Sequence, residues 1–343
     1  MRVITLIARP ALALAALVVT GQAASADPVA DFYQGKTVRV IIGYGAGGGY
    51  DIYGRLAAEF LGRYIPGHPT VIPQNMPGAG SFKAIEYLYG GGAAQDGTFI
   101  GTVAQTMAVD ALTDPKVHAD VTKLKFLGRL VNNTDVGYVL PKSGLKTFDD
   151  LRKREVIAGA SGGGSTSVVY PLALNAYAGT KMKLVRGYEG TAEIQLALER
   201  GEAEINPAVS LPGILGSHPD WVKNGDIIVL YQNALKRDPV LPNVPTMPEL
   251  GTSDEGRTIL RVIAGTTEIG RSILTTPGVP AARLAALRKA FKDMATDREF
   301  LAIAQKRNLQ IAYASGEELD AIVAETMRLP KPTVEVLAKL LKE

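Results

Sequence analysis

The chain writes one local device twice. Residues 40–51, VIIGYGAGGGYD, and residues 156–167, VIAGASGGGSTS, each run from a β-branched apolar segment into a turn of glycine, alanine, serine or tyrosine containing a triple glycine. Each then ends on polar residues that can cap a following helix. Glycine loses more conformational freedom on ordering than any other residue, so bare backbone at such a junction implies a left-handed φ or a close neighbour. A helix N-terminus supplies a reason for a close neighbour. Its first N–H groups are unpaired and carry the positive end of the helix dipole, so glycines leading into it let an anion lie on the main chain. Asp51 can cap the first helix; Ser165, Thr166 or Ser167 can cap the second and offer hydroxyls to a ligand.

Around these devices, strands alternate with helical patterns. Val38–Ile42 reads as a buried strand, and Tyr53–Tyr64 carries Leu56, Phe60, Leu61 and Tyr64 at helical spacing. The unit recurs with Thr70–Gln74 and Phe82–Leu88, with Phe99–Ala104 and Met107–Leu112, and with Glu155–Ala158 and Val168–Ala178. Strands at Lys183–Arg186, Ala203–Asn206 and Asp226–Tyr231 and a helix at Thr191–Arg200 follow. Ala281–Met294, Arg298–Lys306 and Glu317–Met327 read as helices, with a short strand at Gln310–Tyr313. This order predicts an α/β fold of mostly parallel sheets with helices on both faces, and 343 residues suffice for two cored domains.

The first 26 residues differ from the rest: Arg2 and Arg9, the apolar run Ala11–Val19, then the small-residue site Ala24-Ser25-Ala26 before Asp27. That is the pattern of a secretory signal peptide, and it predicts a mature protein outside the cytoplasm. Cysteine is absent, so disulfides and thiolate metal sites are ruled out. The three histidines, His68, His118 and His218, stand apart with no metal-ligand spacing, so neither metal nor cofactor is expected. With Arg2 and Arg9 set aside, acidic and basic residues nearly balance, which gives no basis for nucleic-acid binding.

Each glycine motif has rival readings. GAGGGY is only a loose relative of a dinucleotide fingerprint, and no Lys-Ser/Thr follows to make a P-loop. A tight structural turn is the plain alternative. The second stretch, Gly159-Ala160-Ser161-Gly162-Gly163, fits the GxSxG elbow of serine hydrolases, with Ser161 as nucleophile. That chemistry needs a downstream acid and histidine, and His218, in a proline-bounded loop, is the one histidine available.

Five segments in order, VRVIIGYGAGGGYDIYGRLAAEFL, PQNMPGAGSFKAIEYLY, QDGTFIGT, LPNVPTMPEL and TTPGVPAARLAALRKAF, carry a resemblance across essentially the whole mature chain. The sequence resembles the Bug family, the extracytoplasmic substrate-binding proteins of tripartite tricarboxylate transporters. The resemblance implies a two-domain periplasmic-binding-protein fold of the type II, Venus-flytrap kind. It also implies a monomeric periplasmic receptor, not an enzyme, that closes on a small carboxylate and hands it to membrane permease subunits.

Carried over by position, the first pinching loop comprises Tyr44, Gly45, Ala46, Gly47, Gly48, Tyr50 and Asp51. The second comprises Ser161, Gly163, Gly164, Ser165 and Thr166. Thr102, Gln105 and Thr106 of GTVAQT, and Tyr188 of GYEGTAE, are further expected cleft residues, as is Asn206. Two departures bear on the ligand. Gly45 and Ala46 stand where the family loop has prolines, which makes this loop more pliable. Val209 stands where the family often has an Asp for a ligand ammonium, so a mono- or dicarboxylate lacking an ammonium is expected, with tyrosines forming an aromatic wall. The expected division is a first domain of 28–132 plus 270–343 and a second of 133–269, with hinges near Val131–Thr134 and Gly270–Thr275.

Overall fold

A computed structural model describes residues 27–162 and 165–341. The expected signal peptide, and Gly163 and Gly164 of the second loop, lie outside the described residues. Eleven strands form two sheets. The first sheet takes β1 (Thr37–Ile42), β2 (Thr70–Asn75), β3 (Phe99–Thr102), β4 (Lys125–Val131), β10 (Arg271–Thr275) and β11 (Ala314–Ser315). Their order across it is β11-β4-β10-β3-β1-β2. The second takes β5 (Asp135–Val139), β6 (Val156–Ala160), β7 (Met182–Arg186), β8 (Ile205–Ser210) and β9 (Ile228–Asn233), in the order β7-β6-β8-β5-β9.

The sheets are mixed rather than mostly parallel, and the cause lies where the chain changes sheets. β5 follows the first crossing and β10 the second, and each runs antiparallel to both of its neighbours. The remaining pairs in each sheet's strand–helix–strand part, β1 with β2 and β3, and β6 with β7 and β8, are parallel. Helices Gly49–Leu61 and Thr166–Ala178 follow β1 and β6 through the two glycine turns. They begin at the carboxyl ends of their strands, where open α/β sheets bind ligands.

Alternate residues of β1, Val38, Val40 and Ile42, are buried in the first core beside Leu56, Phe60 and Leu61 of its helix, while Ile41 is buried on the other face. The second core gathers Val156, Ala158 and Ala160 of β6 with Val168, Val169 and Leu172. At roughly 25 cal/mol per Å² of apolar surface, such clusters supply the main stabilisation of a chain without disulfides.

The two crossings lie side by side. Asn133 N–H donates to the Thr267 carbonyl at 3.1 Å. Gly270 has φ +53, and a Cβ there would stand 2.1 Å from the Val131 carbonyl oxygen. Only a glycine fits both the conformation and the contact. We propose residues 132–134 and 266–270 as the hinges. The second segment sits slightly before the expected one because Arg271–Thr275 is committed to the first sheet. The strand expected at 310–313 forms instead as Ala314–Ser315. The C-terminal helix Lys331–Leu341, expected to belong wholly with the first domain, places Leu337 and Leu340 in the second core, beside Val109 of the helix Met107–Thr113.

Candidate ligand-binding cleft

The two glycine turns face each other across a narrow cleft. Tyr44, Gly45, Gly48, Gly49 and Tyr50 line it from one side; Ser161, Ser165, Thr166, Ser167, Gly190, Thr191, Ala208 and Ser210 line it from the other. Here the cost of so many glycines finds its reason. A Cβ on Gly48 would come within 2.8 Å of Thr191 Oγ1, and one on Gly49 within 2.9 Å of Ser210 Cβ. One on Gly162 would meet the Gly80 nitrogen at 2.3 Å. Gly45 N–H donates across the gap to the Glu189 carbonyl at 3.3 Å. The bare backbone lets the two halves touch.

In the first turn, Asp51 is buried and turned away from the cleft. Its carboxylate accepts from Gly47 N–H (2.9 Å), Arg55 Nε (2.9 Å) and Asn75 Nδ2 (2.7 Å). Burial alone would raise its pKa, but the hydrogen bonds from Arg55, Gly47 and Asn75 outweigh it and hold the carboxyl below its usual value. Asp51 therefore shapes the loop, an acid in the first helical turn favoured by the dipole. Gly48, not Asp51, is the N-cap. Ala46 and Gly47 are exposed on the outer side.

The second turn is built from hydroxyls. Ser161, Ser165 and Ser167 are all buried. Ser167 Oγ takes the Ser161 N–H at 3.0 Å and contacts the hydroxyls of Ser161 (3.1 Å) and Ser165 (2.9 Å). Ser165 is the N-cap of its helix.

Between the turns lies a polar network reaching both sheets. Arg271, at the start of β10, is 4% exposed; its Nη2 pairs with Asp135 Oδ1 at 3.2 Å and its Nη1 donates to Gln105 Oε1 at 3.1 Å. Gln105 Nε2 donates to Asp135 Oδ2 (2.8 Å) and lies 2.8 Å from the Tyr170 hydroxyl, which itself donates to Asp135 Oδ2 at 3.0 Å. Asn133 Nδ2 donates to Asp135 Oδ1. The Arg271 guanidinium lies 4.0 Å from the centre of the Tyr50 ring, on which Tyr44 stacks at 4.5 Å. Burial pushes the Tyr50 phenol up to about 12, against the pull of Arg271, so it is a neutral hydroxyl at physiological pH. It accepts the Gln105 N–H at 2.9 Å, which leaves its own proton to give.

The other expected residues fall outside the cleft wall. Thr102 is buried at the end of β3, beneath helix Gly49–Leu61, where its Cγ2 would meet a Cβ on Gly54 at 3.3 Å. Thr106 is buried at the N-cap of the helix Met107–Thr113. Gln105 enters through the network. Tyr188 lines an adjoining cavity of about 280 Å³ that shares Tyr44 and Ser161 with the cleft. Asn206 is on the same side of β8 as Ala208 and Ser210 but further from the strand end, and donates to the Thr191 carbonyl at 3.1 Å. Sequence reasoning missed Arg271, Thr191 and Ser210 as lining residues. The signal for Arg271 was a single charge opening an otherwise uncharged strand beside an expected hinge.

No catalytic relay reaches Ser161. His218 bonds the neighbouring Ser217 hydroxyl at 2.9 Å, stacks on Trp221, and lines a separate depression beyond Gly47–Gly49. Among the described residues no group of three or more His, Asp or Glu could hold a metal ion, and no helix is long and apolar enough to cross a membrane.

Two sheets joined by paired crossings, with opposed helix N-termini over one cleft, define a two-domain fold of the periplasmic-binding-protein kind. The chain belongs to the tripartite tricarboxylate transporter family receptors, whose family description matches residues 55–338. Members are solute-binding receptors of the periplasm, not enzymes. It is 26% identical over 352 residues to the UPF0065 protein in the gbd 5' region of Cupriavidus necator, covering 96% of each chain. In fold it is similar to the malate-bound MatC of Rhodopseudomonas palustris (TM-score 0.68, 18% identity, 89% of this chain and 99% of that one). It is equally similar to an adipate-bound R. palustris protein (TM-score 0.68, 18% identity, 90% and 97%). The periplasmic binding protein BugD gives 0.64 at 19% identity, with 90% and 98% covered.

Proposed function

We propose that this receptor captures a small mono- or dicarboxylate without an ammonium group and delivers it, by closure of its two domains, to the membrane subunits of a tripartite transporter. The observation that carries this reading is the pair of helix N-termini, Gly49–Leu61 and Thr166–Ala178, opposed across one cleft with glycine backbone between them. The amides of Gly49–Asp51 precede the first helical bond, Ile52 N–H to Gly48 O, and so point toward an anion. A carboxylate held by both turns makes contacts in the closed form that the open form lacks, and this difference drives closure. The stacked Tyr44 and Tyr50 offer an apolar wall, and Tyr188 extends it toward the adjoining cavity. Among the described residues no acidic side chain lines the cleft, so an ammonium finds no anionic partner there, which disfavours amino acids. Bound malate and adipate in structures of the same fold agree with this class. The receptor works as a monomer.

A thermal-shift panel of adipate, malate, citrate, benzoate and glutamate tests the reading, because a ligand bound only by the native state raises the melting temperature. A rise is expected with at least one ammonium-free carboxylate and none with glutamate. Silence across all the carboxylates would sink the proposal.

A further inference from the structure

Arg271 is the one charged side chain lining the glycine-loop cleft among the described residues, and one of its donors is unspent. Asp135 and Gln105 take the two terminal nitrogens, while Nε is buried without a hydrogen-bond partner. Protein interiors rarely leave a buried donor unpaired, least of all on a cation, so an orphan of this kind calls for a missing acceptor. Its position says where that acceptor sits. A Cβ on Gly49 would be 3.2 Å from Nε, and Gly49 is the first residue of the thirteen-residue helix whose leading amides face the same cleft. Side-chain and backbone donors converge on one spot.

We propose that Arg271 Nε and the first-turn amides of helix Gly49–Leu61 together seat one carboxylate of the ligand, one oxygen on each, making Arg271 the charge partner that reads it. The inference rests on the carboxylate-receptor reading above. It adds a limit on the ligand. Asp135 already offsets the Arg271 charge, so the seat suits a single negative charge stabilised by the helix dipole and disfavours a dianionic phosphate. It also ties capture to closure, because Arg271 stands on β10 of one sheet and is held by Asp135 on β5 of the other.

The test uses the mature chain labelled with ¹⁵N-arginine and titrated with adipate, malate and benzoate, with phenyl phosphate as the dianion. One Nε–Hε resonance, assigned by its loss in Arg271→Lys or in the charge-neutral double variant Arg271→Gln/Asp135→Asn, is expected to move downfield on carboxylate binding and to stay put with phenyl phosphate. Arg271→Lys keeps a cation opposite Asp135 but lacks Nε, and its carboxylate affinity is expected to fall by about ten- to a hundredfold. A saturating carboxylate that leaves the resonance unmoved, or binds Arg271→Lys as tightly as the unmodified chain, would overturn the role of Arg271 while leaving the receptor reading intact. A chain that binds none of the three carboxylates overturns both.

Discussion

The two glycine turns begin from the same sequence pattern and end as different instruments. The first, Gly43–Gly48, uses donors within the turn for shape, Gly47 N–H on Asp51 and Gly45 N–H on Glu189 across the gap, and leaves only the amides of the helix that follows for a ligand. The second keeps three clustered hydroxyls, Ser161, Ser165 and Ser167, at the mouth of its helix. One turn provides closeness and backbone donors, and the other adds side-chain hydroxyls. A symmetric pincer built from two bare loops could hold an anion by its dipoles alone. Adding hydroxyls to one side gives the ligand directional partners that depend on its shape.

The largest effect should come from Gly162→Ala. The added methyl meets backbone of residues 79 and 80, at 2.4 and 2.3 Å, and that loop cannot swing aside. Gly78, Ala79, Gly80 and Ser81 all hold positive φ, an already constrained run. Blocking closure should weaken ligand binding by about a hundredfold, with solution scattering shifted toward the open form. Gly48→Ala meets only the end of the Thr191 side chain, which can rotate, and should cost no more than a few-fold. Equal losses would erase the distinction between backbone and side-chain contact. Ser161→Ala comes next: losing one neutral hydroxyl should weaken carboxylate binding about fivefold by calorimetry, with no ester turnover in either protein. Asp51→Asn should be smallest for binding, because its effect is on stability, about 1 kcal/mol at neutral pH. The folded-state pKa of Asp51 lies below its unfolded value, so its contribution is present above about pH 4 and is lost as pH falls through the folded value. The urea-midpoint advantage over Asp51→Asn should shrink below that pH; a constant gap would refute the linkage.

The strand–glycine–helix units were legible because local chemistry decides them: β-branched runs, glycine turns and amphipathic spacing all point the same way around 38–61 and 156–178. Of the residues expected on those turns, Tyr44, Gly45, Gly48, Tyr50, Ser161, Ser165 and Thr166 line the cleft, while Ala46, Gly47 and Asp51 do not. What depends on tertiary pairing was not legible. Arg271 and Asp135 lie far apart in sequence and meet only because two chain crossings run side by side, and neither residue's neighbours announce the partner. Ser210 was hidden in another way. Its strand was expected to stop at Asn206, yet β8 runs through Pro207 to Ser210, because strand pairing with β5 overrides the local proline signal. Asn206 was chosen as the polar group of that strand, but strand alternation and rise carry the useful position four residues onward.

The packing of the last helix has a consequence for how tightly ligand is held. The backbone passes between the sheets twice, and besides the polar network at the cleft the helix Lys331–Leu341 adds an apolar link, set between the helices Met107–Thr113 and Thr166–Ala178. Apparent affinity is the intrinsic affinity scaled by the fraction of molecules already competent to bind. Any difference in how Leu337 and Leu340 pack in the open and closed forms enters that fraction directly. A substitution at Leu337 or Leu340 that shifts the balance of open and closed forms would therefore change sensitivity from outside the cleft, while the residues lining the cleft set the choice of solute.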